Sequence, residues 1–425
     1  MGFPATTDCL IIGAGPAGLA AAAGCESSRA SFLLVEAGVP LAQRDRESPD
    51  LLTEGVGGAG LFSDGKFSFF PSASQLWVLR DKDALSAAYR WFCDLISSFG
   101  VSTPGFPNNF ASIGVEKMDG FERKCYTSVY MPLEQRMSLM RLLADKLRSR
   151  LLTGAEVSRC TFDAGYWTCT FITSDGRECH LKCRSIIFCA GRFGPLVFKQ
   201  VFPQGRTEFR RVEVGVRIEQ PTDSFFLESD PQIDPKLKVA GGPNVELRTF
   251  CCCRAGEVVA TRTRGIWSVS GRADGPRTTS SNVGVNIRIL DPAIATEVWS
   301  QVAPSLGSRE TSIVRESVST FLAVSRPMDA PSRIGRLLGT VMSDALAHGL
   351  KVLGRTYPSL RSSDAIIWAP TIEGVGAYPS INMDLQADAL RLWVAGDSSG
   401  IFRGLTAAIV SGYYSGLQAS ALGGS

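Results

Sequence analysis

A glycine-rich turn close to the start of the chain constrains the fold more than any other feature. Residues 13–18 read Gly-Ala-Gly-Pro-Ala-Gly, which is the spacing G-x-G-x-x-G. An apolar run at 8–12 precedes the turn, and an Ala-rich stretch at 16–26 follows. The apolar run is typical of a strand buried in a parallel sheet, and the Ala-rich stretch favours helix. With the apolar run Phe32–Glu36, the predicted order is strand, turn, helix, strand.

Each glycine of this turn has its own role if the turn binds a dinucleotide. The first permits a tight turn, the second lets the backbone approach a pyrophosphate, and the third allows close helix–strand packing. The helix N-terminus offers N–H groups and the positive end of its dipole to the phosphates. Glu36 ends the second strand, where a carboxylate accepts hydrogen bonds from ribose hydroxyls and repels a 2′-phosphate, which disfavours NADP. The turn therefore predicts a dinucleotide, with FAD and NAD both open.

A second motif near the C-terminus distinguishes between these two. The apolar run at 392–395 enters Gly396-Asp397, and an apolar helix is predicted from about Leu405. This arrangement resembles that of flavoproteins with two dinucleotide-binding domains. The resemblance implies that Asp397 binds a ribityl hydroxyl, and that the helix N-terminus approaches the flavin pyrimidine edge with Gly404 and Leu405 as donors. Reduced flavin carries negative charge at that edge, which a helix N-terminus stabilises.

Two internal segments resemble the same flavoproteins. Residues 186–191 form a β-branched run that ends in Cys-Ala-Gly, similar to their A-T-G segment with Cys189 in place of Thr. Val157 follows a predicted helix and Gly154, and it matches the strand whose backbone holds adenine. We therefore predict FAD as the cofactor. The residues predicted to contact it are Gly13, Ala14, Gly15, Pro16, Ala17, Gly18, Glu36, Ala37, Gly58, Ser63, Val157, Ala190, Gly191, Asp397, Gly404 and Leu405.

A narrower resemblance rests on residues 57–66, which read Gly-Gly-Ala-Gly-Leu-Phe-Ser-Asp-Gly-Lys. They resemble the G-G-A-G-x-F-S-D-G-K stretch of a family of FAD-dependent dehydrogenases. Residues 214–219 and 248–253 are similar to the G-V-R-I-E and T-F-C-x-C segments of the same family. The chain departs from the family at 254–256, where Arg-Ala-Gly replaces Pro-Gly, and at Phe402-Arg403, in a loop that is normally Gly-rich. These departures lie where substrate would meet the flavin, so the resemblance implies redox chemistry on FAD and no particular substrate.

Three basic residues are candidates for the chemistry. The resemblance places the 57–66 loop against the flavin, where Lys66 would stabilise the anionic reduced form or an acidic substrate; a tight surface turn is the alternative. A guanidinium fork suits a carboxylate, so Arg403 and Arg217 are candidate substrate clamps. For Arg217, on a predicted strand, an ion pair with Glu213 or Glu219 is equally open.

A histidine is not expected to act as the acid or base. His180 lies on a predicted strand that leads away from the flavin, and His348 follows a predicted helix. Lys66, a tyrosine or a carboxylate would then fill that role. Tyr378 and Glu373, in a Gly-rich stretch before the last strand, are candidates. Tyr378 is also a candidate substrate contact, with core packing as its alternative.

The length of 425 residues exceeds one simple core, so two domains are expected. We predict an α/β fold: a Rossmann-like FAD-binding domain of the glutathione-reductase type with an inserted mixed-β substrate domain. The FAD-binding domain comprises 1–72, 140–209 and 388–425, and the substrate-binding domain comprises 73–139 and 210–387. Alternating and β-branched runs fill much of the second domain, as is typical of strands.

Composition and charge bear on which classes of binding partner are expected. The net charge is +3 without blocks of like charge, which gives no reason to expect binding to nucleic acid or to a membrane surface. Glycines and a proline break the longest apolar run, at 9–24, so no membrane span is predicted and the expected location is cytoplasmic. The 12 cysteines are then expected to be reduced, and their spacing predicts no metal site. Three consecutive cysteines, at 251–253, would point alternately to opposite faces of a strand.

The predicted function is that of an FAD-dependent oxidoreductase. It would transfer a hydride between flavin N5 and a small organic substrate, with anionic molecules among the candidates. One alternative is a monooxygenase that uses a flavin hydroperoxide, although the D-G-x-x-S-x-x-R element usual in such enzymes is missing at mid-chain. The other is a non-catalytic module that FAD stabilises. No second strand–turn–helix unit of the dinucleotide type is evident, so NAD(P)H as a reductant would bind transiently. The oligomeric state is left open.

Overall fold

The computed structural model describes residues 4–108, 114–323, 332–387 and 390–421. Each predicted domain includes a few positions outside these ranges. The strands of the described residues are β1 (Thr6–Ile12), β2 (Phe32–Glu36), β3 (Lys66–Ser68), β4 (Gly114–Lys117), β5 (Glu122–Cys125), β6 (Ser128–Tyr130), β7 (Leu151–Thr153), β8 (Ala155–Asp163), β9 (Tyr166–Thr173), β10 (Glu178–Phe188), β11 (Thr207–Pro221), β12 (Lys236–Gly242), β13 (Val245–Cys253), β14 (Glu257–Thr263), β15 (Ile266–Arg272), β16 (Ser280–Ile289), β17 (Val314–Ser317), β18 (Ile366–Pro379), β19 (Gln386–Ala387) and β20 (Leu392–Val394). The helices are α1 (Pro16–Ser27), α2 (Lys82–Ser97), α3 (Leu133–Asp145), α4 (Gly194–Val201), α5 (Pro292–Val302), α6 (Arg309–Ser312), α7 (Val318–Ala323), α8 (Arg333–Thr356) and α9 (Leu405–Ala421).

The N-terminal unit β1–α1–β2 confirms the predicted order of elements, and its turn is as tight as the glycines predict. Gly13 has φ +97°, and a Cβ there would lie 2.5 Å from the carbonyl oxygen of Cys189. A Cβ on Gly18 would lie 1.8 Å from the carbonyl oxygen of Gly13. Both contacts are closer than any side chain tolerates, so these two positions require glycine for the fold itself.

Around this unit the chain builds a mainly parallel sheet. Its order is β19-β20-β10-β1-β2-β7, and every neighbouring pair from β20 to β7 is parallel. Strands β8 and β9 extend it as an antiparallel meander on the first half of β10. The hairpin between β9 and β10 turns at Asp175-Gly176. In such sheets ligands bind outside the carboxyl ends of the strands, and here those ends lie at one edge.

The second large sheet is antiparallel throughout. Its order is β17-β18-β11-β16-β13-β12-β5-β4. One face carries the apolar side chains of β11, β16 and β13 and packs with α8 in a single core. The sequence predicts a mixed-β domain here, and the described strands pair only in the antiparallel sense. Two of them, β4 and β5, come from the 73–139 segment, while the domain boundaries themselves stay a prediction.

Helices α1 and α9 lie against each other backbone to backbone. A Cβ on Gly412 would lie 2.0 Å from the carbonyl oxygen of Ala17, and one on Gly416 would lie 2.3 Å from that of Ala21. These matched pairs run in the same direction along both helices, so the two N-termini point to the same side. Pro16 and Leu405 both contact Gly60, which places the two N-termini next to each other.

Several helix bounds differ from the sequence-based expectation. The helix predicted before Val157 is α3, which ends at Asp145, six residues before β7 begins at Leu151. His348 lies inside α8 rather than after it. Among the described helices, none is both long and apolar enough to cross a membrane.

Candidate cofactor and substrate site

The edge where the parallel strands end has backbone that borders open space. A Cβ on Gly15 would meet only the Cα of Gly58, at 3.8 Å, an ordinary contact. Gly191, with φ +69°, and Gly404, with φ +98°, have no atom within 4 Å of the position a Cβ would take. Unlike Gly13 and Gly18, these glycines are not required by packing within the protein. Their bare backbone is therefore accessible to a ligand that lies along this edge.

Glu36 fastens the glycine turn to the end of β2. Its Oε2 accepts a hydrogen bond from the Ala14 N–H at 2.7 Å, and its Oε1 accepts one from the Gly38 N–H at 2.8 Å. The side chain is buried, at 8% exposed. A carboxylate oxygen can accept two hydrogen bonds, so the contacts leave capacity for the predicted ribose hydroxyls. The sequence predicts a ligand role for Glu36 and gives no signal for this positioning role.

A cleft of about 410 Å³ opens beside β2, β7 and β8. Ala37, Gly154, Val157 and Ser174 line it, together with Arg264 from the turn between β14 and β15. Ala37 and Val157 are two of the residues that the sequence predicts for the cofactor, and the structure brings them to the same cleft. Arg264 is held there by an ion pair with Glu156 at 2.9 Å.

The 57–66 loop lies between the glycine turn and the start of α9. The Gly57 N–H donates to the carbonyl oxygen of Ala14 at 2.8 Å, and a Cβ on Gly60 would meet Leu405 at 2.6 Å and Pro16 at 3.0 Å. Ser63 donates to the carbonyl of Gly60 at 2.8 Å. The loop is thus part of the edge described above and is packed rather than a free surface turn.

Arg44 holds this loop in shape, and the sequence offers no signal for it. Its guanidinium donates to five carbonyl oxygens of the segment 51–58, with distances of 2.7 to 3.1 Å. All five N–H donors of the side chain are therefore used. Burial lowers the pKa of Arg44 to about 10, although Glu36 and Glu54 oppose that shift. It remains charged at neutral pH.

The turn that follows β20 places Asp397 near Gly191 and α9. Gly396 has φ +63°, and its N–H donates to Ser411 Oγ at 3.0 Å. Ser398 Oγ donates to the carbonyl oxygen of Gly191 at 3.0 Å. Asp397 itself is half-buried. The sequence predicts Asp397 and Gly191 as cofactor contacts and gives no signal for Ser398 and Ser411, which tie these segments together.

Lys66 is buried and its ammonium is fully engaged. The Nζ atom lies 3.0 Å from Asp64 Oδ2 and 3.4 Å from Asp234 Oδ1, and it donates to the carbonyl of Cys252. Burial works to lower the pKa of Lys66, but the two carboxylates outweigh burial and raise the pKa. The three donors link the 57–66 loop to the second sheet. The direct contact with flavin or substrate that the resemblance implies would require one of these bonds to break.

Arg403 forms ion pairs within the protein. Its Nη1 lies 2.7 Å from Glu373 Oε2 and its Nη2 lies 2.5 Å from Glu213 Oε2. Glu373 also pairs with Arg192 at 2.5 Å. The predicted substrate clamp and the predicted acid–base carboxylate are therefore bound to each other. A substrate carboxylate would have to share or displace these partners.

Arg217 and Tyr378 require a correction of the sequence-based reading. Arg217 is 1% exposed and donates to Asn282 Oδ1 at 2.7 Å and to the carbonyl of Cys251 at 2.6 Å, so the ion pair with Glu213 or Glu219 is wrong. Tyr378 is 2% exposed, and its hydroxyl accepts the Val375 N–H at 3.1 Å. Its ring packs against Gly400. Both side chains lie in the protein interior, as the packing alternative for Tyr378 predicts.

The polar face of the second sheet carries a concentration of cations. On it lie Lys124, Lys236, Arg248 and Arg288, all only partly buried. Burial, and then the charges of the other three, lower the pKa of Lys124 to about 8. Glu246 contacts Arg248 and Arg288 at 3.5 and 3.4 Å. The neighbouring positive charges on this face thus add to burial in disfavouring the charged form of Lys124.

Glu213 is the main counter-charge of this face. It is 2% exposed and pairs with Arg211 at 2.8 Å, with Arg403 at 2.5 Å and with Arg288. Burial alone would raise the pKa of this carboxyl, but the three guanidinium groups hold it well below its usual range. Arg403 thereby connects the start of α9 to the polar face. No group of three or more His, Cys, Asp or Glu side chains within the described ranges could hold a metal ion.

No family model and no curated protein matches this sequence. Among solved structures, a flavoprotein/dehydrogenase from Cytophaga hutchinsonii is similar at 13% identity, over 98% of this chain and 78% of that chain, with a TM-score of 0.43. AlpK is similar at 13% identity, over 95% of this chain and 60% of its own, with a TM-score of 0.39. CabE, an aromatic hydroxylase from angucycline biosynthesis, is similar at 14% identity, over 92% and 56%, with a TM-score of 0.37. The chain thus spans less than two thirds of AlpK and of CabE, and we transfer no residue role from likenesses this distant.

Proposed function

We propose that this protein is an FAD-dependent oxidoreductase, with a cofactor domain of the glutathione-reductase type, that moves a hydride between flavin N5 and a small anionic substrate. One observation carries the proposal. The N-termini of α1 and α9 lie side by side at the carboxyl edge of a parallel sheet, among glycines whose backbone borders open space. When bound, FAD supplies the acceptor or donor of two electrons.

The residues present fit an FAD along this edge. Gly15, at the N-terminus of α1, has room for a pyrophosphate where a side chain would otherwise stand. Glu36 keeps lone pairs for the adenosine ribose. The cleft at Ala37 and Val157 has a volume that suits adenine and lies next to Glu36 along β2. The site for the adenosine diphosphate half of FAD would thus be formed by the backbone at Gly15 and by the side chains of Glu36 and Val157.

At the other end of the edge, α9 and the 57–66 loop would surround the flavin ring. The N–H groups at Gly404 and Leu405 would point to the pyrimidine edge, and a helix N-terminus stabilises a negative charge there by about 0.3–1 kcal/mol. Asp397 would accept from a ribityl hydroxyl. Gly58 and Gly60 keep the loop flat against Pro16 and Leu405, which supports a role in excluding water from the ring.

The substrate class follows from the polar face of the second sheet. Lys124, Lys236, Arg248 and Arg288 are partly buried and repel one another. An anion bound among them would reduce this repulsion, so the face favours an anionic ligand. Arg248 and Arg288 are 25% and 24% exposed and present guanidinium groups suited to carboxylate or phosphate. We propose that the anionic part of the substrate binds between these residues and the loop that carries Arg403.

A comparison of two variants tests the cofactor part of this proposal. Asp397→Ala should lower FAD retention on purification and in titrations, because it removes the ribityl contact. Asp163→Ala, at the exposed last residue of β8, is the matched control and should bind FAD as the wild type does. Equal retention in both variants would mean that the ring does not lie at Asp397.

The reaction can be tested with the flavin as its own reporter. Under anaerobic conditions, small carboxylates or phosphate esters should bleach the flavin absorbance, while their neutral amide or alcohol analogues should not. NAD(P)H is proposed as a transient reductant only. The rate of flavin reduction should therefore not reach saturation at low concentrations of NAD(P)H. Oxygen incorporated into the organic product, with no anaerobic reduction by any substrate, would contradict the hydride-transfer assignment.

A further inference from the structure

Two of the three consecutive cysteines lie in contact. Cys251 Sγ and Cys253 Sγ are 3.9 Å apart, and Cys252 between them belongs to the core under the sheet. In a regular strand, residues i and i+2 have Cα atoms about 6.6 Å apart and roughly parallel side chains. That separation is close to the upper limit of about 6.8 Å for a disulfide. Contact between the thiols therefore requires a departure from regular strand geometry.

The departure is a bulge centred on Cys251. The pairing of β13 with β16 shifts register between Phe250 and Cys253. Cys251 has φ +50°, a left-handed conformation that is uncommon for a residue with a side chain. Bulges of this kind re-aim side chains and are common next to active sites. Here the bulge turns the Cys251 thiol towards that of Cys253.

Cations surround the deeper thiol. Arg217 Nη2 donates to Cys253 Sγ at 3.7 Å, and Lys66 donates to the carbonyl of Cys252. The contact with Cys251, and then Arg217 and Lys66, lower the pKa of Cys253 against the effect of burial. The same contact and burial raise the pKa of Cys251. The pair thus holds its first negative charge on Cys253, with the remaining proton on Cys251.

The two thiols differ in access. Cys251 is partly exposed, whereas Cys253 is fully buried beneath Gly256 at the start of the hairpin β14–β15. Of the two cysteines, only Cys251 has part of its surface open to solvent, so the first contact with a small molecule is assigned to Cys251. Other close thiols, such as Cys169 and Cys183, are buried on both sides and lack such access.

We propose that Cys251 and Cys253 form a redox-active dithiol that exchanges with small organic disulfides. Cys251 attacks the disulfide RS–SR and passes its proton to the Cys253 thiolate, and one RS⁻ leaves with a proton from solvent. Cys253 then attacks Cys251 Sγ, and the second RS⁻ leaves with the proton that Cys253 gives up. The two cysteines are oxidised to a disulfide and RS–SR is reduced to two RSH, with one proton from Cys251 and one from solvent. The exchange needs no flavin, so its test is independent of the test of the proposed function.

The exchange is tested on the native, reduced protein with oxidised glutathione as the probe. After incubation, free thiols are blocked with N-ethylmaleimide, and the tryptic peptide 249–254, which contains all three cysteines, is weighed. We expect this peptide to lose the mass of two hydrogens and to take up one maleimide instead of three. A dithiol reductant should restore all three thiols of this peptide.

Single serine variants assign the pair. Cys252→Ser is the matched control and should still form the disulfide. Cys253→Ser should stop at a glutathione adduct on Cys251, because the second attack is lost. Cys251→Ser should give neither adduct nor disulfide in this peptide. A wild-type peptide that stays fully reduced while exposed thiols such as Cys179 react would overturn the proposal, and so would loss of the disulfide in Cys252→Ser.

Discussion

Replacing Gly15 by alanine would separate the binding of a pyrophosphate from the stability of the fold. Gly15 has φ −71° and ψ −177°, a conformation open to any residue. The new Cβ would meet only Gly58 Cα at 3.8 Å. The free energy of unfolding of the cofactor-free protein should therefore not fall, and a gain of about 0.4–1 kcal/mol is expected because alanine restricts the unfolded chain.

The same methyl group would stand where the pyrophosphate is proposed to approach the backbone. Displacing a phosphate oxygen from one N–H removes a charge-assisted hydrogen bond worth about 1.5–3 kcal/mol. Affinity for FAD should then fall by a factor of roughly 10–100. This change is measured by titrating the apoprotein with FAD and monitoring the quenching of flavin fluorescence. Stability is measured by urea unfolding, monitored by circular dichroism.

Gly18→Ala is the control with the opposite signature. Its Cβ would lie 1.8 Å from the Gly13 carbonyl oxygen, so α1 must shift, and stability should fall by about 1–3 kcal/mol even without cofactor. Two results would refute the reasoning. One is Gly15→Ala binding FAD as tightly as the wild type, and the other is Gly15→Ala losing as much stability as Gly18→Ala.

Three further predictions concern the residues that shape the site. Arg44→Met removes five hydrogen bonds from the 51–58 segment, so its amides should exchange faster and unfolding should become easier by about 2–4 kcal/mol; unchanged exchange at 51–58 would argue against this role. Glu213→Gln leaves three guanidinium groups without their buried counter-charge and should lower the free energy of unfolding by about 3–5 kcal/mol. Added sulfate should restore part of this loss. Glu246→Gln, which changes a more exposed carboxylate, is the control and should lower it by less. Lys124, with a pKa lowered to about 8, is charged below that pH and neutral above it. Affinity for anionic ligands should therefore fall as pH rises through about 8, and Lys124→Met should abolish that step; a step of the same size in the variant would assign it to another group.

The local parts of this fold could be predicted from the sequence because their signals are local. The unit β1–α1–β2 and the start of α9 at Leu405 each depend on a few consecutive residues. Apolar runs, a glycine turn and helix-forming residues specify such elements without reference to the rest of the chain.

The site could be predicted only as far as its backbone. Motifs single out Gly15 and Gly191, and in the structure the backbone of both borders open space. The partners of Arg403 and Arg217 could not be predicted, because strand register decides which carboxylate or carbonyl stands opposite a guanidinium. Nor could the contact between Cys251 and Cys253, because strand alternation does not anticipate a bulge.

The proposed position of FAD, along the edge from Val157 to Leu405, is tested most directly by calorimetry. Apoprotein is titrated with FAD and, separately, with FMN by isothermal calorimetry. We expect one FAD per chain and much weaker binding of FMN, because FMN lacks the adenosine half that the cleft at Ala37 and Val157 would hold. Binding of neither flavin, or equal affinity for both, would contradict it.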